Sequence, residues 1–208
     1  MKKILGIICL FASFNSLADT LTLRYSTGEY TGLDLDANHY QFTYGGQESD
    51  GDDFLFSYLY GAESGAEHPE DEIVRHDFQY LNRDLKDNYY VLSGYRAVYL
   101  KDVFNEGDES EEGYGLFYEY GYGAYWEVGS GHGFIANATV GLGVGYLEEE
   151  FFGNEKDEKW IVGITYDAAF GYNVSIGDGG AYIRYRALGI PGSEANMHGP
   201  EIGVSFRF

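Results

Sequence analysis

Charged side chains recur within apolar, extended-looking segments of this chain: Arg75, Asp77, Arg96, Glu119, Glu127, Asp167, Arg184, Arg186 and Arg207. In an extended strand, side chains two positions apart share a face. Arg75 and Asp77 therefore point the same way, and so do Arg184 and Arg186. Guanidinium and carboxylate groups gathered on one enclosed face have two uses. They can pair and fill the space between them, because an uncompensated buried charge is costly. They can also line an open bore and select solutes by sign. Both readings stand at this point.

Other chemistry-bearing patterns are sparser. Asp52-Asp53 and His76-Asp77 supply paired acids and an acid–imidazole pair, the residue types of general acid–base hydrolysis. His68, His132 and His198 fall in expected loops or turns, where a solvated imidazole is the default. No zinc cluster, phosphate-cradling loop or G-x-S-x-G elbow occurs. Gly141-Leu142-Gly143-Val144-Gly145 imitates a nucleotide loop, but it lies mid-strand with no helix after it. Asn137-Ala138-Thr139 matches a glycosylation sequon inside the same expected strand. Acids crowd three expected loops, 62–72, 101–113 and 148–158, without the ordered spacing of a calcium loop. The expectation is a solvated acidic surface that holds Ca²⁺ or Mg²⁺ loosely at most, with no resident cofactor.

The elements that must position these groups are strands. Segment 132–148 places Phe134, Ala136, Ala138, Val140, Leu142, Val144 and Tyr146 on one face and Asn137, Thr139, Gly141, Gly143 and Gly145 on the other. Segments 113–128 and 158–176 alternate in the same way, with Glu119 and Asp167 on the small, polar side. A water-soluble barrel turns its bulky face inward. Here the bulky set suits lipid, and the Gly-rich polar set suits a lumen. The fold class expected is all-β, a transmembrane antiparallel up-and-down barrel. Candidate strands at 20–30, 38–46, 52–62, 73–82, 88–101, 113–128, 132–148 and 158–176, with two more before Phe208, make ten; eight is the alternative. The acid-rich 45–53 connection resembles a long loop more than a short turn.

Lys2-Lys3, the apolar run Ile4–Phe11 and Ser16-Leu17-Ala18 read as a secretory signal peptide over 1–18, leaving one barrel domain at 19–208. Cys9, the single cysteine, lies in that leader, so no disulfide is expected in the barrel. Without Lys2 and Lys3 the formal charge moves from −21 to −23, which repels nucleic acid. Yet 44% hydrophobic and 18% aromatic residues exclude a disordered acidic chain.

The final strand carries a resemblance. Ile202, Val204, Phe206 and terminal Phe208 share one face, opposite Gly203, Ser205 and Arg207. This end resembles the closing strand of bacterial outer-membrane barrels, and the whole pattern is similar to small Gram-negative surface barrels of the opacity type. The resemblance implies the cell outer membrane, with its lipid and lipopolysaccharide and the barrel-assembly machinery as partners. A closed barrel needs no second subunit, so a monomer suffices. Enzymatic relatives are not matched: the His-x-Ser-Asn pattern of lipid A deacylases is missing from Tyr182–Ile190, and no omptin motif accompanies the acid pairs. The function expected is non-enzymatic, in envelope integrity or surface interaction, through acidic loops over a side-chain-filled lumen. A narrow charge-lined pore is the alternative, and a rim enzyme acting on lipid A or peptides is the third.

Overall fold

The computed structural model describes residues 18–31, 35–47, 53–64, 72–86, 89–104, 109–151, 155–176, 179–190 and 196–207. The expected signal peptide, apart from Ala18, and the terminal Phe208 lie outside the described residues. Ten strands follow in chain order: β1 (Ala18–Thr31), β2 (Leu35–Gln47), β3 (Asp53–Ser64), β4 (Glu72–Leu85), β5 (Tyr89–Phe104), β6 (Glu109–Gly129), β7 (His132–Phe151), β8 (Glu155–Ile176), β9 (Gly179–Gly189) and β10 (Asn196–Arg207). Each pairs antiparallel with the next, and β10 pairs with β1 from Thr20↔Arg207 to Thr31↔Asn196. The sheet is a closed up-and-down barrel of ten strands.

The facing follows the alternation. Val140, Leu142, Ile164 and Phe170 stand on the outside, and Val162 and Trp160 are 78% and 76% exposed there. On the inside, Thr22, Thr43, Ser57, Thr139 and Thr165 are buried together with the charged set. Exposed aliphatics around a polar interior invert the order of a water-soluble protein. They match a wall that faces lipid, where closure also leaves no backbone donor or acceptor unpaired. Among the described residues no helix is long and apolar enough to cross a membrane.

The start of β1 and the end of β10 fall at one end of the barrel, here the near end; the other is the far end. The Gln47↔Asp53 pair closes the β2–β3 ladder at the near end, which also holds the tight turn at Gly131, where φ is +77°. A positive φ there suits Gly, which has no Cβ to clash.

At the far end the expected loops 101–113 and 148–158 are mostly strand. β6, β7 and β8 reach 21, 20 and 22 residues, against 11 for β9 and 12 for β10. About 9–11 residues suffice to cross a bilayer, so these three strands project well beyond β9 and β10, and β5 follows β6 outward as far as Phe104↔Glu109. Register aligns Glu112, Glu148 and Glu158 in one row and Glu111, Glu149 and Asp157 in the next. Directly opposed acids disfavour pairing. The ladder continues because hydrogen bonds already made below extend it at little further entropic cost, a cooperativity that residue type does not reveal.

Candidate functional site: a charged belt across the lumen

Seven of the twelve strand-borne groups at the centre of the lumen come from the alternating charges, and the geometry joins them in one chain. Asp77 on β4 accepts from Arg75 Nη2 at 3.1 Å and from Arg96 Nε at 2.8 Å. Arg96 on β5 then reaches Glu119 on β6 through Nη1 at 3.0 Å and approaches Asp167 on β8 at 3.7 Å. Asp167 takes a two-pronged grip from Arg186 on β9, at 2.9 Å from Nε and 2.5 Å from Nη2. Arg186 Nη1 reaches Glu201 on β10 at 3.3 Å, and Arg184 Nε donates to the same carboxylate at 2.5 Å. Arg24 on β1 ends the chain, 3.9 Å from Glu201. Neutral donors and acceptors fill what remains. Gln79 donates to Glu119 at 2.6 Å, Thr165 donates to it at 3.2 Å, and Gln41 accepts from Arg186.

The belt is dry. Arg96 and Arg75 are each 1% exposed, and Glu119 is fully covered. Charges at such depth are tolerable only when paired and hydrogen-bonded. Each of the four carboxylates meets at least two donors. Two-pronged Arg–carboxylate contacts also fix orientation.

On the far side of the belt an aliphatic and aromatic layer is buried, beside Ser26 and His39. Leu59, Val98, Phe117, Leu188 and Met197 are all buried. Leu188 follows Arg186 on β9, Val98 follows Arg96 on β5, and Phe117 precedes Glu119 on β6, so the layer sits directly over the charges. On the near side the lumen opens into a cavity of about 490 Å³ lined by Thr22, Thr43, Ser57, Asn137 and Thr139, with Arg24, Arg184 and Arg186 at its floor.

Other sequence-derived residues fall elsewhere. Glu127 is exposed beside the β6–β7 turn, next to a register shift, and stays outside the belt. Arg207 pairs with Thr20 by backbone register, and its side chain is not among those described. Ile202, Val204 and Phe206 stand exposed on the outer face of β10. His76 and Asp77 diverge: Asp77 is in the belt, while His76 faces outward and shares a 2.7 Å hydrogen bond with Tyr58. Asp52 and His68 lie outside the described residues. His132 and His198 each meet a tyrosine hydroxyl, Tyr172 and Tyr185 respectively.

Reading the sequence for charges on the clearest segments passes over Arg24, Glu201, Gln41, Gln79 and Thr165. Two of these were within reach. Glu201 shares the parity of Gly203 and Ser205, and Leu21, Leu23 and Tyr25 alternate around Thr22 and Arg24.

No protein-family model matches the chain, and no curated protein matches it in sequence. Among solved structures, the translocator domain of the autotransporter NalP from Neisseria meningitidis is similar, at 12% identity and a TM-score of 0.50, over 100% of this chain and 95% of that one. The beta domain of the Bordetella autotransporter BrkA aligns at 10% identity over 93% of this chain and 99% of that one, with a TM-score of 0.38. At such identity the first likeness speaks for the barrel fold alone, and that fold is what this chain and the translocator domain share.

Proposed function

We propose that this chain is an integral protein of the Gram-negative outer membrane whose lumen is filled rather than open. It works without catalysis, through the acidic surface at its far end, in envelope integrity or surface interaction. The observation that carries the reading is the belt from Arg75 to Arg24 with the apolar layer of Leu59, Phe117, Leu188 and Met197 over it. Together they leave side chains where a conducting path would need water. The near end, where β1 starts and β10 ends, faces the periplasm, and the projecting β6–β8 sheet faces the lipopolysaccharide. Its rows of acids would need divalent cations to lie beside that anionic layer. The separation of outward His76 from inward Asp77 supports a non-catalytic role. The likeness to an autotransporter translocator domain is one of fold alone and carries no translocating role to this chain.

The second reading, a narrow pore, draws on the cavity of about 490 Å³ that runs from the near end to the belt. Single-channel recording of the refolded barrel in a planar bilayer separates the two. A folded, heat-modifiable and silent barrel is the expected result. Discrete openings altered by Arg184→Ala and Glu119→Ala would make the belt a selectivity filter and retire the filled-lumen reading.

A further inference from the structure

The projecting sheet is closed on one side and open on the other. Towards β4 it is paired almost to its tip: β5 meets β6 up to Phe104↔Glu109, and β4 meets β5 up to Glu72↔Val103. Towards β9 it is not. β8 pairs with β7 as far as Phe151↔Glu155, but its pairing with β9 stops at Tyr166↔Gly189. Among the described residues no strand pairs with the outer edge of β8 from Glu155 to Thr165, about 36 Å of strand. The chain from Gly189 to Asn196 spans about 25 Å when fully extended. Out and back, it reaches about three positions past Gly189, well short of the tip of β8.

An open edge presents N–H and C=O groups with no strand to meet them, and folded proteins ordinarily shorten, bend or block such an edge. β8 does none of these between Glu155 and Thr165: no proline occurs there, and its register with β7 runs without a shift. Near the barrel wall the edge strand is apolar on both faces. Trp160 and Val162 project to one side and Ile161 to the other, all three exposed. At its tip β8 carries Glu155, Asp157 and Glu158, with Lys156 across from Glu150. The strands beside it end in Glu148-Glu149-Glu150 and Glu109-Ser110-Glu111-Glu112. A strand laid on this edge would meet backbone groups along its length, apolar neighbours near the barrel and carboxylates at the tip. Cross-strand pairing favours β-branched or aromatic residues beside the first and Lys or Arg beside the second. A second copy of this chain would instead bring like charges together.

We propose that the open edge of β8 is a docking site for an extended segment of another protein, taken up as an extra strand. The segment carries basic residues towards the tip and apolar residues towards the barrel. Recognition of this kind draws affinity from main-chain hydrogen bonds and selectivity from side chains at alternate positions. The inference rests on the surface-interaction reading above and names the site and the chemistry of its partner.

The test is binding of a capped, labelled decapeptide of alternating lysine and valine to the full chain, refolded in a zwitterionic detergent. Fluorescence anisotropy measures the binding, and hydrogen exchange read by mass spectrometry locates it. Saturable binding is expected, with new protection of amides within 155–165. N-methylation of the central peptide amides is expected to weaken it about tenfold or more, through loss of several backbone hydrogen bonds. The same peptide with glutamate in place of lysine should not bind. Val162→Glu adds an acid to the sheet, so it weakens docking on the edge but would strengthen attraction by charge alone. Heat-modifiable migration on gels establishes that the variant is folded. No binding, protection confined to another segment, indifference to N-methylation, equal binding of the glutamate peptide, or tighter binding by Val162→Glu each overturns the proposal. Self-association that protects the same amides without peptide would assign the edge to a second copy and also overturns it. A barrel that is silent in the planar bilayer yet ignores the peptide loses the docking site and keeps the filled lumen. A conducting barrel that captures the peptide does the reverse.

Discussion

Glu201 of β10 stands directly across the strand pair from Arg184 of β9, and their side chains meet at 2.5 Å inside the lumen. The contact ties the closing strand to its neighbour on the face opposite to Ile202 and Val204. The same strand thus carries lipid-facing residues on one side and an anchor of the belt on the other.

Removing that anchor is expected to be costly. Glu201→Gln keeps the shape but leaves Arg24, Arg184 and Arg186 with one fewer counter-charge in a dry interior. A loss of roughly 3–5 kcal/mol is expected, the usual cost of stranding a buried partner. Urea unfolding in lipid vesicles, followed by tryptophan fluorescence, measures it. A change below about 1 kcal/mol would mean that the belt is hydrated and loosely held.

The outer face makes a separate prediction. Val140→Arg places a cation in lipid between Tyr120 and Tyr166, the residues that register sets beside it. A destabilisation of roughly 2–4 kcal/mol is expected at midplane depth. Equal folding of the variant and the parent protein in liposomes would show the facing to be wrong.

Crowding inside the barrel can be tested by rescue. A Cβ built on Gly203 would overlap the Tyr182 ring, so the glycine is what lets that ring lie against the wall. Gly203→Val is expected to lose roughly 1–3 kcal/mol through overpacking. Tyr182→Ala in the same chain should recover most of that loss, although each change alone destabilises. Additive losses in the double variant would separate the two residues.

The acidic rows at the far end predict a salt effect of the opposite sign. Glu158 pairs by register with Glu148, which pairs with Glu112. Glu158→Lys turns one like-charge neighbour into an attractive one and is expected to stabilise by about 0.5 kcal/mol. The gain should fade as sodium chloride rises past 0.5 M, where exposed charges are screened. Thermal melts at two salt concentrations decide it.

What could be read from the chain and what could not divide along one physical line. Alternation along β6, β7 and β8 is long and regular, so it fixes facing for Glu119, Thr139 and Asp167 without a structure. It says nothing about which charge meets which, because that depends on strand register and shear. Hence Arg96 could be placed inside but not known to bridge Asp77, Glu119 and Asp167. Glu201 was hidden because β10 draws attention to its apolar side. Gln41 and Gln79 were hidden because neutral amides carry no charge signal. The strand extensions beyond Glu112 and Glu148 were illegible for a different reason. Acid-rich segments look like loops by composition, and only the hydrogen-bond ladder of their neighbours makes them strands.

The meeting of β1 and β10 has a mechanical consequence. This seam joins the first and last strands of the barrel, which no connecting loop ties together. Here it is fastened twice. The ladder from Thr20↔Arg207 to Thr31↔Asn196 fastens the wall. Inside, Arg24 reaches across to Glu201, and Gln41 on β2 accepts from Arg186 on β9, a link between residues 145 positions apart. Parting the wall sideways would pull buried ions into hydrocarbon, so traffic between lumen and lipid is barred at the one joint where it would otherwise be easiest.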